Sequence, residues 1–207
     1  MAIGLYDEAL VNKIKSWDKG NNLHILKPNE VSRLFQMKAD EFKDEPLTLP
    51  MISISRDTEI NILNTNKQPM SFDGMNLKLV DSCGNQIVTD KAMKLDAIPI
   101  SLSYQLDIYT RKIKEADEYL RNFVFNFINY PNIKVEIPYN DCNIIHESTV
   151  YLNNVISDNS DIPQKLFPDQ FTRYTLKLVI DNAYLFSVPI KENVNIEEGE
   201  LIIKEHK

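Results

Sequence analysis

Cysteine is scarce in this chain. Cys83 and Cys142 are the only two, too few for a disulfide framework, and both are read as reduced thiols. Five glycines is a low count for 207 residues. None falls in a G-x-G-x-x-G or G-x-x-x-x-G-K pattern, so no backbone cradle for phosphate is indicated. Basic charge is short as well: the net charge is -7 and the pI about 5.0. A duplex-binding surface needs clustered Lys and Arg, and this balance argues against one. No apolar run approaches the roughly 20 residues of a membrane helix. The opening MAIGLYDEALVNKIKSWDK lacks a signal-peptide core, so synthesis in the cytoplasm is expected.

What is present is globular. Hydrophobic residues make up 43% and charged residues 26%, which excludes wholesale disorder and supports a buried core without metal or disulfide. The most informative stretch is Ile98 to Ile137, where the hydrophobic period changes twice. Leu102, Tyr104, Leu106 and Ile108 alternate with Ser101, Ser103, Gln105 and Asp107, the period of a strand with one buried face. Ile113, Ala116, Leu120, Phe123, Phe127 and Ile128 then recur every three or four residues, an apolar helix stripe that must cover a sheet. Beyond Pro131, Ile133, Val135 and Ile137 alternate again.

Around this unit, Leu5, Ala9, Leu10, Ile14 and Trp17 predict an amphipathic first helix ending near Gly20. Leu23 and Ile25 suggest a short strand, and Val31 to Phe42 fits a helix or an extended segment, with the extended form preferred. Met51 to Ser55 and Glu59 to Leu63 are expected as two sheet strands, and Glu147 to Val155 as another. Residues 64–98 form an excursion, in which Leu77 to Val80 and Gln86 to Thr89 could pair across Cys83-Gly84-Asn85. Ser157 to Gln170 is expected as a long loop. Tyr174 to Ile180 and Tyr184 to Val188 are expected as a hairpin turning at Asp181-Asn182-Ala183. The whole predicts one α+β domain over residues 1–190, a mixed, largely antiparallel sheet with an N-terminal helix and a long central helix packed on one face. Residues 191–207 follow as a charged tail, either an extension or an arm that orders against a partner.

Sites of chemistry are sparse. Cys142 and His146 stand four apart, but zinc wants about four ligands and no second pair is spaced for it. A polar turn and strand start account for the two. Asp158, Asp161 and Asp169 share the long loop without the alternation or terminal Glu of a calcium loop. Glu115, Asp117 and Glu118 sit with Arg111, Lys112 and Lys114 on the solvent side of the helix stripe. Phe123 and Phe127 belong to that stripe, so an aromatic platform for nucleic acid is disfavoured. Phe125 projects elsewhere. Together with Leu166 and Phe167 of the long loop it is a candidate contact with another subunit, whose burial would supply about 4–8 kcal/mol before association costs. No catalytic, cofactor or metal residues are assigned. A small metal-dependent hydrolase using His146 and scattered carboxylates is the competing class.

The element order, with Leu102 to Leu120 running from an alternating strand ending LDIY into a helix carrying EADEYL, resembles the tail terminator, or tail-completion, proteins of long-tailed bacteriophages. LTLPMISISRD and RYTLKLVI resemble other sheet strands of that family. Related neck proteins share this style of fold; the 64–98 excursion and the charged tail exceed a minimal member. The resemblance implies a structural virion protein: a hexameric ring on the end of the tail tube, meeting the tube protein on one side and the head connector on the other. DNA would only pass through its lumen. It implies assembly in the host bacterial cytoplasm, no enzymatic activity and no membrane partner. A place elsewhere in the neck or baseplate is the alternative within the same class.

Overall fold

A computed structural model describes residues 3–18, 23–28, 49–63, 77–81, 83–84, 86, 97–139, 142–160 and 171–186. In chain order the elements are α1 (Ile3–Trp17), β1 (His24–Leu26), β2 (Met51–Ile62), β3 (Leu77–Val80), β4 (Ala97–Thr110), α2 (Ile113–Asn129), β5 (Asn132–Tyr139), β6 (Cys142–Asp158) and β7 (Thr172–Phe186). The strands form one sheet in the order β1, β2, β4, β7, β6, β3, with β5 also paired to β6. Only β1 and β2 run parallel. All other neighbours are antiparallel, so the α+β, largely antiparallel reading holds.

The core follows the alternation of β4. Leu102, Tyr104, Leu106 and Ile108 are buried and lie directly opposite buried Ile54 and Ile52 of β2 and Leu178, Leu176 and Ile180 of β7. Over this layer sit both helices, whose buried residues join the strands in one cluster: Tyr6, Leu10, Val11 and Ile14 from α1, and Phe123 and Phe127 from α2. The Trp17 ring stands edge-on to Phe127 with centroids 4.8 Å apart, which fastens the helices to each other. The sequence-expected stripes are shifted. In α1, Leu5, Ala9 and Trp17 pack at the margin, and Tyr6 and Val11 take the centre. In α2, Ile113 and Ile128 are exposed. Ile113 is the first residue of the helix, one turn ahead of Ala116 where covering begins, and Ile128 falls on the flank of the arc through Ala116, Phe123 and Phe127.

Four further expectations change. The hairpin expected at Asp181-Asn182-Ala183 is absent, because β7 runs unbroken from Thr172 to Phe186. The turn-like residues make a bulge: Ile100 faces Ala183 and Leu102 faces Ile180, leaving Asp181 and Asn182 opposite Ser101. Ser101 donates to Asp181 at 2.7 Å, while Asn182 turns to β6 and accepts from the Thr149 amide at 3.0 Å. The two strands expected at 51–55 and 59–63 are likewise one strand with an irregularity between Arg56 and Ile60. Strand β6 extends past the expected Val155 to Asp158, so the loop begins later than Ser157. Finally, β4 is buried on both faces near its end, with Asp107 at 4% exposure and Tyr109 at 4%.

The predicted turn after β3 is present in part. Gly84 has φ +87, a conformation that favours glycine, its amide donates to the Asp81 carbonyl at 3.0 Å, and Val80 bridges Gln86. Strand β3 pairs with β6. The 31–42 segment, most of the 64–98 excursion and the 191–207 tail lie outside the described residues.

Candidate subunit-contact surface

Phe125 lies across α2 from Phe123 and Phe127, a consequence of about 100° of rotation per residue. It is 60% exposed, and Ile128, three positions on, is 64% exposed, so the helix shows a pair of neighbouring apolar side chains to its outside. Leu166 and Phe167, the other two candidates, lie outside the described residues. Sequence reasoning missed further exposed apolar side chains. Ile113, Ile128 and Tyr130 accompany Phe125 at the helix, Ile60 and Ile62 lie at the end of β2 with Leu63 just beyond it, and Tyr151, Val155 and Ile156 line the second half of β6. Alternation marked the β2 and β6 residues as strand. It carries no signal for which strand stands at an edge.

Two polar networks fix the framework beside these surfaces, one joining α1 to β2 and β4 and the other joining β4 to β7. On the helix-covered side, Arg56 of β2 donates to both carboxylate oxygens of Asp7 on α1, and the Tyr104 hydroxyl donates to the same carboxylate at 2.8 Å. Burial pushes the Asp7 carboxyl above the usual aspartate range, partly offset by the Tyr104 bond and the Arg56 charge. Burial beside that carboxylate likewise raises the Tyr104 phenol. On the opposite side, Asp107 accepts from Arg173 Nη2 at 3.0 Å, from Gln105 Nε2 at 2.9 Å and from the Thr175 hydroxyl. The Arg173 guanidinium also lies 5.5 Å from the centre of the Tyr109 ring, and Tyr109 packs with Leu26, Met51 and Phe171.

His146, the residue a hydrolase would need, is 1% exposed. Its Nε2 lies 3.0 Å from Ser148 Oγ and 2.8 Å from the Asn182 carbonyl oxygen, and the rings of Tyr6 and Tyr184 meet it edge-on. Ser148 is fully buried. A histidine and serine at this distance echo a nucleophile and its base, but a nucleophile must meet substrate, and this pair is sealed in the core. The Cys142 side chain lies outside the described residues. Asp158 turns back on its own chain, accepting from the Ser160 amide at 3.0 Å and the Ser160 hydroxyl at 2.6 Å, which holds its carboxyl below the usual range. Asp161 and Asp169 lie outside the described residues. Among the described residues no three His, Cys, Asp or Glu side chains gather into a metal-holding group, and no helix is long and apolar enough to cross a membrane.

Comparison with protein-family models and with curated proteins finds no match to this chain.

Proposed function

We propose that this chain is a structural assembly protein which, following the family resemblance of its strand-helix-strand unit, forms a ring that ends the tube of a long-tailed phage and joins it to the head connector. The observation that carries the reading is the exposed apolar pair Phe125 and Ile128, 60% and 64% exposed and three positions apart on a helix whose residues Phe123 and Phe127 lie in the core. Apolar side chains grouped in this way point to a second protein surface. The α+β fold supports the resemblance in layout. The partners on this reading are copies of itself, the tail tube protein and the connector proteins.

The test is binding to particle parts. Purified protein is mixed separately with tail tubes and with connector-bearing heads and imaged by electron microscopy, and its mass is measured by size exclusion with light scattering. A ring capping tube ends supports the terminator role. Binding to heads alone, or to the opposite tube end, moves the protein to the neck or baseplate; a monomer that binds neither sinks the structural reading.

A further inference from the structure

We propose that the two outer edges of the sheet are complementary halves of one head-to-tail contact between copies, β2 of one copy docking alongside β6 of the next. This rests on the assembly reading above and names the surface that would build its ring.

The edges are open over the relevant lengths. Strand β1 pairs with β2 only through Met51 to Ser53, and among the described residues nothing pairs with the outer edge of β2 from there to Ile62. Strand β5 accompanies β6 as far as Thr149, with the Val150 amide donating to the Pro131 carbonyl at 2.9 Å. Beyond that point, among the described residues, the side of β6 away from β7 is also unpaired, as far as Asp158. Such edges present rows of backbone donors and acceptors ready to accept another strand.

Their directions and shapes match. Each step from β2 to β4, β7 and β6 is antiparallel, so β2 and β6 run in opposite directions. A second copy placed beside the first by simple repetition therefore sets β2 antiparallel to β6. Both edges carry the same irregularity. Asp57, Thr58 and Glu59 face Ser103 alone, between the pairs Arg56–Tyr104 and Ile60–Leu102. Asn153, Asn154 and Val155 face Lys177 alone, between Leu152–Leu178 and Ile156–Leu176. Edge bulges discourage indiscriminate strand pairing and restrict the edge to a matching partner.

The side chains match too. Ile60 and Ile62 lie on the sheet face of their buried partners Leu102 and Ile100, yet they are 39% and 67% exposed. Ile156 shares the face of buried Leu176 and is 42% exposed. The apolar layer of the core thus runs out uncovered at both edges, and joining them continues it. Asp57 and Glu59 on the β2 bulge are exposed acids, and exposed Lys177 flanks the β6 bulge. Because the two surfaces differ, the contact is heterologous, and repeating it closes a ring when the rotation permits.

Ile62→Lys spoils the β2 edge and Ile156→Lys the β6 edge, each leaving the other edge intact. By size exclusion with light scattering, the unaltered protein is expected as a multimer and each variant alone as a monomer. Their equimolar mixture is expected as a one-to-one dimer, because one good edge of each kind remains. Circular dichroism confirms that the variants are folded; should either lysine variant unfold, Ile62→Thr and Ile156→Thr are expected to weaken self-association by about tenfold or more. Variants that assemble like the unaltered protein overturn the edge contact and leave the assembly reading standing. Monomeric variants whose mixture stays monomeric overturn the head-to-tail pairing. An unaltered protein that is monomeric throughout overturns the edge contact, and it overturns the assembly reading as well only when it also binds neither tubes nor heads.

Discussion

Arg56 grips Asp7 with one guanidinium nitrogen, Nη1, placed 2.8 and 2.6 Å from the two carboxylate oxygens, and so ties the first helix to the second strand across 49 positions of sequence. The pair is largely shielded, with side-chain exposures of 29% for Arg56 and 17% for Asp7. Removing one partner leaves the other charge uncompensated. Arg56→Ala is expected to lower stability by about 2 kcal/mol, less than for a fully buried pair, measured by urea unfolding.

The same carboxyl gives a pH signature. Its pKa in the fold is raised, chiefly by burial, so its ionisation favours the unfolded chain. The stabilising contribution is complete below the ordinary aspartate pKa of about 4 and is lost as pH rises through the higher folded value. The unaltered protein should therefore lose stability relative to Asp7→Asn as pH rises from about 4 to about 7. A constant difference in urea midpoint between the two across that window would contradict the assignment.

Asp107 presents a stricter case. It is 4% exposed and receives bonds from Arg173, Gln105 and Thr175. Asp107→Ala strands the Arg173 guanidinium, whose side chain is 13% exposed, and is expected to destabilise by about 3–5 kcal/mol. Replacing both residues by apolar side chains of similar volume should restore much of the loss. Chemical denaturation of the single and double variants checks both statements.

At the β7 bulge, Asn182 Oδ1 accepts from the Thr149 amide at 3.0 Å and from the Ser148 hydroxyl at 3.2 Å. Asn182→Ala leaves the amide without this acceptor and is expected to cost about 1–2 kcal/mol. The matching observation is faster hydrogen exchange at Thr149 than at Ile144, a buried residue on the same strand.

Neighbouring phenylalanines on α2 should separate folding from assembly. Phe123 is 1% exposed, and Phe123→Ala is expected to cost about 3–5 kcal/mol of stability. Phe125→Ser should leave stability within about 0.5 kcal/mol, since it removes an exposed side chain. Its effect is expected instead on binding to tube or connector, measured by co-sedimentation with each.

The strand-helix-strand unit was legible because its periods are clean: β4, α2 and β5 fall where the alternation and the three-to-four spacing place them. The bulges were not. Asp181-Asn182 has the composition of a turn, and only pairing with Ser101 on one side and Thr149 on the other decides that the chain continues straight. Asp107 looked like the solvent side of an alternating strand, and its partner Arg173 stands 66 positions away. Phe125 was legible as an outward residue because helix geometry alone separates it from Phe123 and Phe127. The open edges of β2 and β6 depend on the order of strands in the sheet, which local pattern does not encode.

Strand β6 belongs to two ladders at once, lying against β3 and β5 over its first half and against β7 over its second. Because the two ladders share one continuous strand, loss of either is expected to weaken the other. The lone Trp17, lodged between the helices, then serves as witness for the whole: its fluorescence and the backbone signal should vanish together.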